Sequence, residues 1–258
     1  MPTATHEAAW DARIARAREL ASRGPAARDL LTFYAALAEY QRTLAASARD
    51  ALTFDVDRAI EAIPAFLAWL HRTAPPELVA SVEIDSVASA FRRKAVDGVG
   101  SHQSEVDNPA KRFVVEALLQ GFAEQLLNPD PSQAGPGSTP MRCPRCAALP
   151  VAAVLREEGQ GARRSLLCAH CLHEWECLRL VCPACGEQDF DKLPVYTAEQ
   201  FAHVRIDACD RCQHYIKTID LTKDGLAVPC VDDIASVSLD LWARERGYTR
   251  ITCNVLGI

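Results

Sequence analysis

Four Cys-x-x-Cys pairs crowd into the second half of this 258-residue chain: Cys143/Cys146, Cys168/Cys171, Cys182/Cys185 and Cys209/Cys212. Two residues between two cysteines let both sulfurs of a tight turn face one ion. Four thiolates complete a tetrahedron around zinc or iron, so four pairs make two sites. Cys146 and Cys168 are separated by 21 residues, Cys185 and Cys209 by 23. That spacing suits a ribbon, in which a knuckle and a hairpin bring a second knuckle opposite the first. The ten residues 172–181 between the two units are too few for a separate domain. The ribbons are therefore expected to pack side by side and share Trp175. Neither unit can bury a useful core alone, so metal binding must supply much of its folding free energy, on the order of 10 kcal/mol or more. Cys143-Pro144 and Cys182-Pro183 stiffen the first knuckle of each ribbon. Gly186 lets the backbone turn back after Cys185; Ala147 stands at the matching place in the first ribbon.

The rival use of such pairs is a redox dithiol at a helix start in a βαβ unit, and four pairs between β-hairpins do not fit it. Zinc and iron both suit thiolates, and spacing does not separate them. Cys177, Cys230 and Cys253 lie outside the pairs and read as small buried hydrophobes. His170, His173, His203 and His214 read as packing or exposed residues. Asp232 and Asp233 read as helix caps more simply than as cation ligands. No phosphate-binding loop, nucleophile elbow or dinucleotide fingerprint occurs in the chain.

The first half has a different texture. Residues 1–128 are rich in Ala, Leu, Arg and Glu, with apolar positions three and four apart, and read as a helical domain. Helices are expected from about His6 to Ala21, from Pro25 to Ala51, and from Asp55 or Asp57 through Pro64 to Arg72. Two more follow, from Ser81 to Val96 and from an Asn108 cap with Pro109 to Leu127. The stripe Leu30, Phe33, Tyr34, Leu37, Tyr40 and Leu44 is core by its spacing. Residues 129–140 are rich in Pro, Gly and Ser and read as a linker. After it, residues 141–180 form the first ribbon and 181–258 the second. The second ribbon carries a C-terminal helix from Asp232 or Asp233 to Arg246, stopped by Gly247. Short β-prone runs fill the ribbons: Val151–Leu155, Arg164–Leu167, Trp175–Leu180, Val195–Tyr196, Val204–Ile206 and Tyr215–Ile219. An extended tail, Arg250–Leu256, closes the chain. The fold class is α+β.

The opening MPTATHEAAWDARIARAREL is charged from residue 7 onward and lacks the apolar core of an export signal. No run of about 18 apolar residues occurs, so no membrane-inserted helix is expected. The expected compartment is the cytoplasm, where thiols stay reduced. Eleven cysteines, an odd number, fit eight ligands and three others better than a full disulfide set. A net charge of −6, without interleaved basic and aromatic residues in the hairpins, argues against a nucleic-acid partner.

The stretches CPRCAALP, LLCAHCLHEWECLRLVCPACG, VYTAEQFAHVRIDACDRCQHYIKTID and DDIASVSLDLWARERGYTRITCNVLG resemble the formate dehydrogenase accessory protein FdhE family. The resemblance covers residues 141–258 and rests on residues between the pairs, among them Trp175, Arg179, Tyr215, Lys217, Asp240 and Tyr248. It implies a helical domain followed by two rubredoxin-like ribbons, with Cys143, Cys146, Cys168 and Cys171 on one ion and Cys182, Cys185, Cys209 and Cys212 on another. Iron is the metal the resemblance favours, and zinc suits the same ligands. It further implies a non-enzymatic cytoplasmic maturation factor that binds the catalytic subunit of formate dehydrogenase before export. An iron-based redox protein acting in maturation and a nucleic-acid-binding zinc ribbon are the alternatives.

Overall fold

The computed structural model describes residues 3–48, 56–76, 82–97, 108–123 and 141–258. A helical half comprises α1 (Thr3–Arg23), α2 (Arg28–Ala48), α3 (Val56–Glu61), α4 (Ile63–Thr73), α5 (Ile84–Asp97) and α6 (Pro109–Gly121). The expected linker 129–140 lies outside the described residues; the last helix, expected to reach Leu127, ends at Gly121 with Phe122 as its cap. Asn108 caps α6 as its side chain dictates: Oδ1 accepts from the amides of Ala110 (2.9 Å) and Lys111 (3.2 Å), with Pro109 in the first turn. The third expected helix is corrected to two. Proline lacks an amide and its ring clashes with the carbonyl four residues back. The chain therefore breaks at Ala62, and Pro64 sits in the first turn of α4.

Apolar stripes meet as their spacing requires. Tyr34, Leu37, Phe66, Leu70, Phe91 and Leu118 are essentially inaccessible to solvent. Tyr40, Phe66 and Trp69 form an aromatic group with ring centroids 4.8–5.7 Å apart, and Phe33 bridges it to Phe113 on α6. Among the described residues no helix is long and apolar enough to cross a membrane.

The cysteine-bearing half is built on one sheet of seven short strands: β1 (Pro150–Glu158), β2 (Gly161–Cys168), β3 (Glu174–Glu176), β4 (Val195–Thr197), β5 (Val204–Cys209), β6 (His214–Asp220) and β7 (Thr249–Arg250). β1 and β2 form a hairpin, as do β5 and β6; β3 and β4 lie at the two ends of the strand order. The ribbons do more than lie side by side. β1 pairs with β6 in parallel, Ala152 opposite Lys217 through Leu155 opposite Asp220, so one ladder runs through both. Trp175 shares a buried cluster with Ile216 of the second ribbon, as expected of a shared residue.

Two further helices, α7 (Pro229–Ala235) and α8 (Val237–Glu245), replace the single expected C-terminal helix, with the break at Ser236. α7 is a wedge. Val231 and Ile234 join the core of the helical half, while its other side packs on β1 and β6.

The acidic residues of α7 are corrected from caps to buried ion-pair partners. Asp232 does accept the Val228 amide (2.7 Å), but it also accepts from Arg16 on α1 at 2.7 and 3.1 Å and contacts His203 Nε2 at 2.8 Å. Asp233 accepts from Arg250 and from Asn254. Lys217, fully buried on β6, donates to Asp240 (2.6 Å), which also accepts from Tyr215 (2.8 Å) and Arg250 (3.1 Å). Two cations and two carboxylates thus balance inside the sheet–helix junction. Burial alone would raise the Asp232 pKa, but hydrogen bonds from His203 and Arg16 outweigh it and hold the carboxyl below its usual range. Asp233 is held down likewise by Arg250 and Lys217 against its burial.

A depressed folded-state pKa lends stability that is present above the unfolded carboxylate pKa, about 4, and lost as pH falls through the folded value. Resistance to urea unfolding is therefore expected to fall below about pH 4. Arg16→Met, which leaves the buried Asp232 with only His203 and the Val228 amide as partners, is expected to cost about 3 kcal/mol. The double variant Arg16→Met, Asp232→Leu should recover most of that loss. A double variant as unstable as the single one would show that the pair does not tie α1 to α7.

Candidate metal centres

Both cysteine clusters follow from hairpin geometry. In the first, Pro150 at the start of β1 lies opposite Cys168 at the end of β2. The knuckle just before β1 therefore meets the knuckle just after β2. In the second, Cys209 ends β5 opposite His214 at the start of β6, so the knuckle 209–212 is itself the hairpin turn. The segment carrying the other knuckle is docked along β5 by the Asp210 amide on the Lys192 carbonyl (2.9 Å) and the Ala208 amide on the Pro194 carbonyl (3.0 Å).

The sulfurs converge as fours. In the first cluster Sγ atoms stand 3.3 Å (Cys146–Cys168), 3.6 Å (Cys143–Cys171) and 3.6 Å (Cys146–Cys171) apart. In the second, Cys182–Cys212 and Cys185–Cys209 are each 3.7 Å. A tetrahedron with metal–sulfur bonds of about 2.3 Å has edges of about 3.8 Å. A disulfide would be about 2.05 Å, and all eleven cysteines are free thiols. Each cluster can hold one metal ion.

Backbone amides complete the donor set. The amides of His170 (3.3 Å) and Cys171 (3.4 Å) point at Cys168 Sγ. Those of Ala184 and Cys185 serve Cys182, that of Glu187 serves Cys185 and that of His214 serves Cys212. Such bonds favour thiolate over thiol. Four sulfurs this close do not ionise together unaided. Contacts from Cys146, Cys168 and Cys171 hold Cys143 far below the ordinary thiol range, while contacts from Cys143 and Cys146 push Cys168 and Cys171 far above it. Only a cation at the centre lets all four carry charge.

One backbone signature repeats in all four knuckles. The residue after the second cysteine has positive φ: Ala147 (57°), Leu172 (55°), Gly186 (76°) and Gln213 (57°). In three of them its amide also closes on the carbonyl of the first cysteine: Ala147 on Cys143 (2.9 Å), Gly186 on Cys182 (2.9 Å) and Gln213 on Cys209 (2.8 Å). In the second cluster the left-handed residue aims the amide that follows it, that of Glu187 at Cys185 and that of His214 at Cys212. Only Gly186 announces the left-handed position in sequence.

The other flagged residues scatter. Among the histidines, His214 donates from Nδ1 to the Cys212 carbonyl (2.8 Å) and His203 belongs to the Asp232 ion pair. His170 is buried in the second knuckle, and that burial pulls it down to about 4, so its ring is neutral at pH 7. His173 is also lowered by burial. Cys177 lies beside Arg164, and Cys230 accepts from the Tyr34 hydroxyl at 3.6 Å. Cys253 is corrected: it is exposed rather than buried. His203, Asp224 and Asp232 also converge, but the Arg16 guanidinium already occupies that convergence with bonds to both carboxylates.

Comparison with known proteins places these features in context. The family described as FdhE, C-terminal domain, matches residues 180–256. A Protein FdhE homolog of Aquifex aeolicus (strain VF5) is 42% identical over 116 residues, 45% of this chain and 41% of that protein. A Protein FdhE homolog of Haemophilus influenzae (strain PittEE) is 30% identical over 202 residues, 76% of this chain and 61% of that protein. The chain thus spans less than two thirds of the length of these relatives. The crystal structure of the FdhE protein from Pseudomonas aeruginosa superposes with a TM-score of 0.75 at 24% identity, covering 96% of this chain and 95% of that one.

An L-residue in the left-handed region costs about 1 kcal/mol or more relative to glycine. Ala147→Gly is therefore expected to stabilise the protein by about 1 kcal/mol and Gly186→Ala to destabilise it by a similar amount. Thermal unfolding midpoints of the metal-loaded variants check this. Midpoints that move the other way would mean that these turns are not strained as described.

Proposed function

Because the chain belongs to the FdhE family, we propose that it is an accessory factor for formate dehydrogenase maturation and performs no catalysis itself. In this reading it binds the catalytic subunit in the cytoplasm before that subunit is exported. The observation that carries the reading is the pair of four-sulfur clusters, one in each half of a single sheet, with that sheet tied to a helical bundle through α7. Cys143, Cys146, Cys168 and Cys171 would hold one ion, and Cys182, Cys185, Cys209 and Cys212 the other. The ions would supply charge compensation and folding free energy to strands that are two to nine residues long. The donor set suits iron and zinc alike; the family resemblance favours iron. Free thiols throughout the chain suit a reducing compartment.

The chain's own buried polar groups support a scaffold. The cations and carboxylates of the sheet–helix junction are engaged with one another, as Lys217 with Asp240 and Arg16 with Asp232. Groups committed this way fix geometry and carry no proton to a substrate. The surface they hold in place is what a client would meet.

The double variant Cys209→Ser, Cys212→Ser is expected to lose about one of two metal equivalents and to bind the catalytic subunit of formate dehydrogenase at least about tenfold more weakly. Metal analysis together with a pull-down reads both quantities. Undiminished capture by a protein that has lost that ion would contradict the platform role.

A further inference from the structure

The two cysteine clusters stand differently toward the helices. The second knuckle of the first cluster, Cys168 to Cys171, lies against α6. Between its cysteines, the Ala169 carbonyl accepts from Gln120 Nε2 on α6 at 3.3 Å. Gln120 is 7% exposed, and its Oε1 accepts from Nε2 of the fully buried Gln41 on α2 at 3.2 Å. The next knuckle residue, His170, is 3% exposed, and its Nδ1 stands 3.9 Å from Glu116 Oε2, one turn back on α6. Glu116 is paired with Lys94 on α5. Elements α2, α5 and α6 thus converge on the two residues that separate a pair of sulfur donors.

One peptide unit serves both sides. The Ala169 carbonyl and the His170 amide belong to the same trans peptide plane, so they point in opposite directions. The amide points at Cys168 Sγ (3.3 Å) and the carbonyl at Gln120. Rotation of that plane breaks both bonds. The knuckle Cys209 to Cys212 is held from its own half instead. The Tyr248 hydroxyl donates to Asp210, the Asp210 amide to the Lys192 carbonyl (2.9 Å), and the Thr249 amide to the Gln213 carbonyl (2.8 Å).

We propose that the first four-cysteine site is a metal-dependent latch on the helical half: an ion there and the docking of α6 favour one another, while an ion in the second site leaves α6 unaffected. An ion that fixes Cys168 fixes the peptide plane beside it, and that plane presents its carbonyl to Gln120. Without the ion the plane is free to rotate, and Gln120 loses a buried acceptor. Coupling of this kind is reciprocal, so Gln120 in turn tightens the first ion. The latch is local, because α7 ties the halves separately through Arg16 and Asp232. It rests on the reading of one ion per cluster given above; a client surface spanning both halves would be complete only with the first site loaded.

Hydrogen exchange of the full chain loaded with zinc tests the latch. Cys143→Ser with Cys146→Ser is expected to hold one ion and to exchange its α6 amides at least about tenfold faster than the parent, with α1 amides within about twofold. Cys182→Ser with Cys185→Ser should also hold one ion and keep α6 exchange within about twofold of the parent. Gln120→Leu keeps every ligand cysteine. In zinc competition with a chromophoric chelator, on chains carrying either site alone, it is expected to weaken the first site about threefold or more and to leave the second unchanged. Two ions in the parent with α6 exchange alike in both serine variants, faster exchange along α1 as well, or an unchanged first-site affinity in Gln120→Leu overturns the latch and leaves the two-ion reading standing. Fewer than two ions in the parent overturns both.

Discussion

Four thiolates packed edge to edge repel one another, and only a central cation makes that arrangement stable. With one ion in each cluster, as proposed above, the second half of this protein would depend on that compensation. β3 and β4 are three residues long and β7 is two; strands so short hold few ladder bonds of their own. Each cluster joins a knuckle outside a hairpin to a knuckle at its end, so an ion closes a loop that backbone pairing alone leaves open. The parallel pairing of β1 with β6 then makes the two closures parts of one sheet.

A second constraint couples that sheet to the helices. α7 inserts Val231 and Ile234 into the helical core and places Asp232 and Asp233 among buried cations from α1, β6 and the tail. Desolvation makes such charges unfavourable singly and tolerable only as a set. The set is long-range: Arg16 and Asp232 are 216 residues apart. The position of the helical bundle on the cysteine-bearing half is thereby specified by polar geometry as well as by apolar burial.

Much of this was legible in the sequence, for physical reasons that can be named. Thiolate pairs at two-residue spacing have few other uses, and the structure gathers the eight sulfurs into the two expected fours. Asn108-Pro109 is a local signal for a helix start, and it held. What failed was non-local or unmarked. Pro64 reads equally well as a tolerated kink or a new first turn, and the structure takes the second, with the break at Ala62. Asp232 and Asp233 look like caps until Arg16 and Arg250 arrive from distant elements. Ala147, Leu172 and Gln213 adopt positive φ without the glycine that would announce it. The exposure of Cys253 depends on the path of the tail, which carries no periodicity.

X-ray absorption at the iron and zinc edges, on protein purified without oxygen and with metal content quantified, addresses the central claim most directly. Two ions per chain are expected, each with a sulfur-only shell of four ligands at about 2.3 Å. A folded chain carrying fewer than two ions, or nitrogen and oxygen donors in either shell, would contradict it.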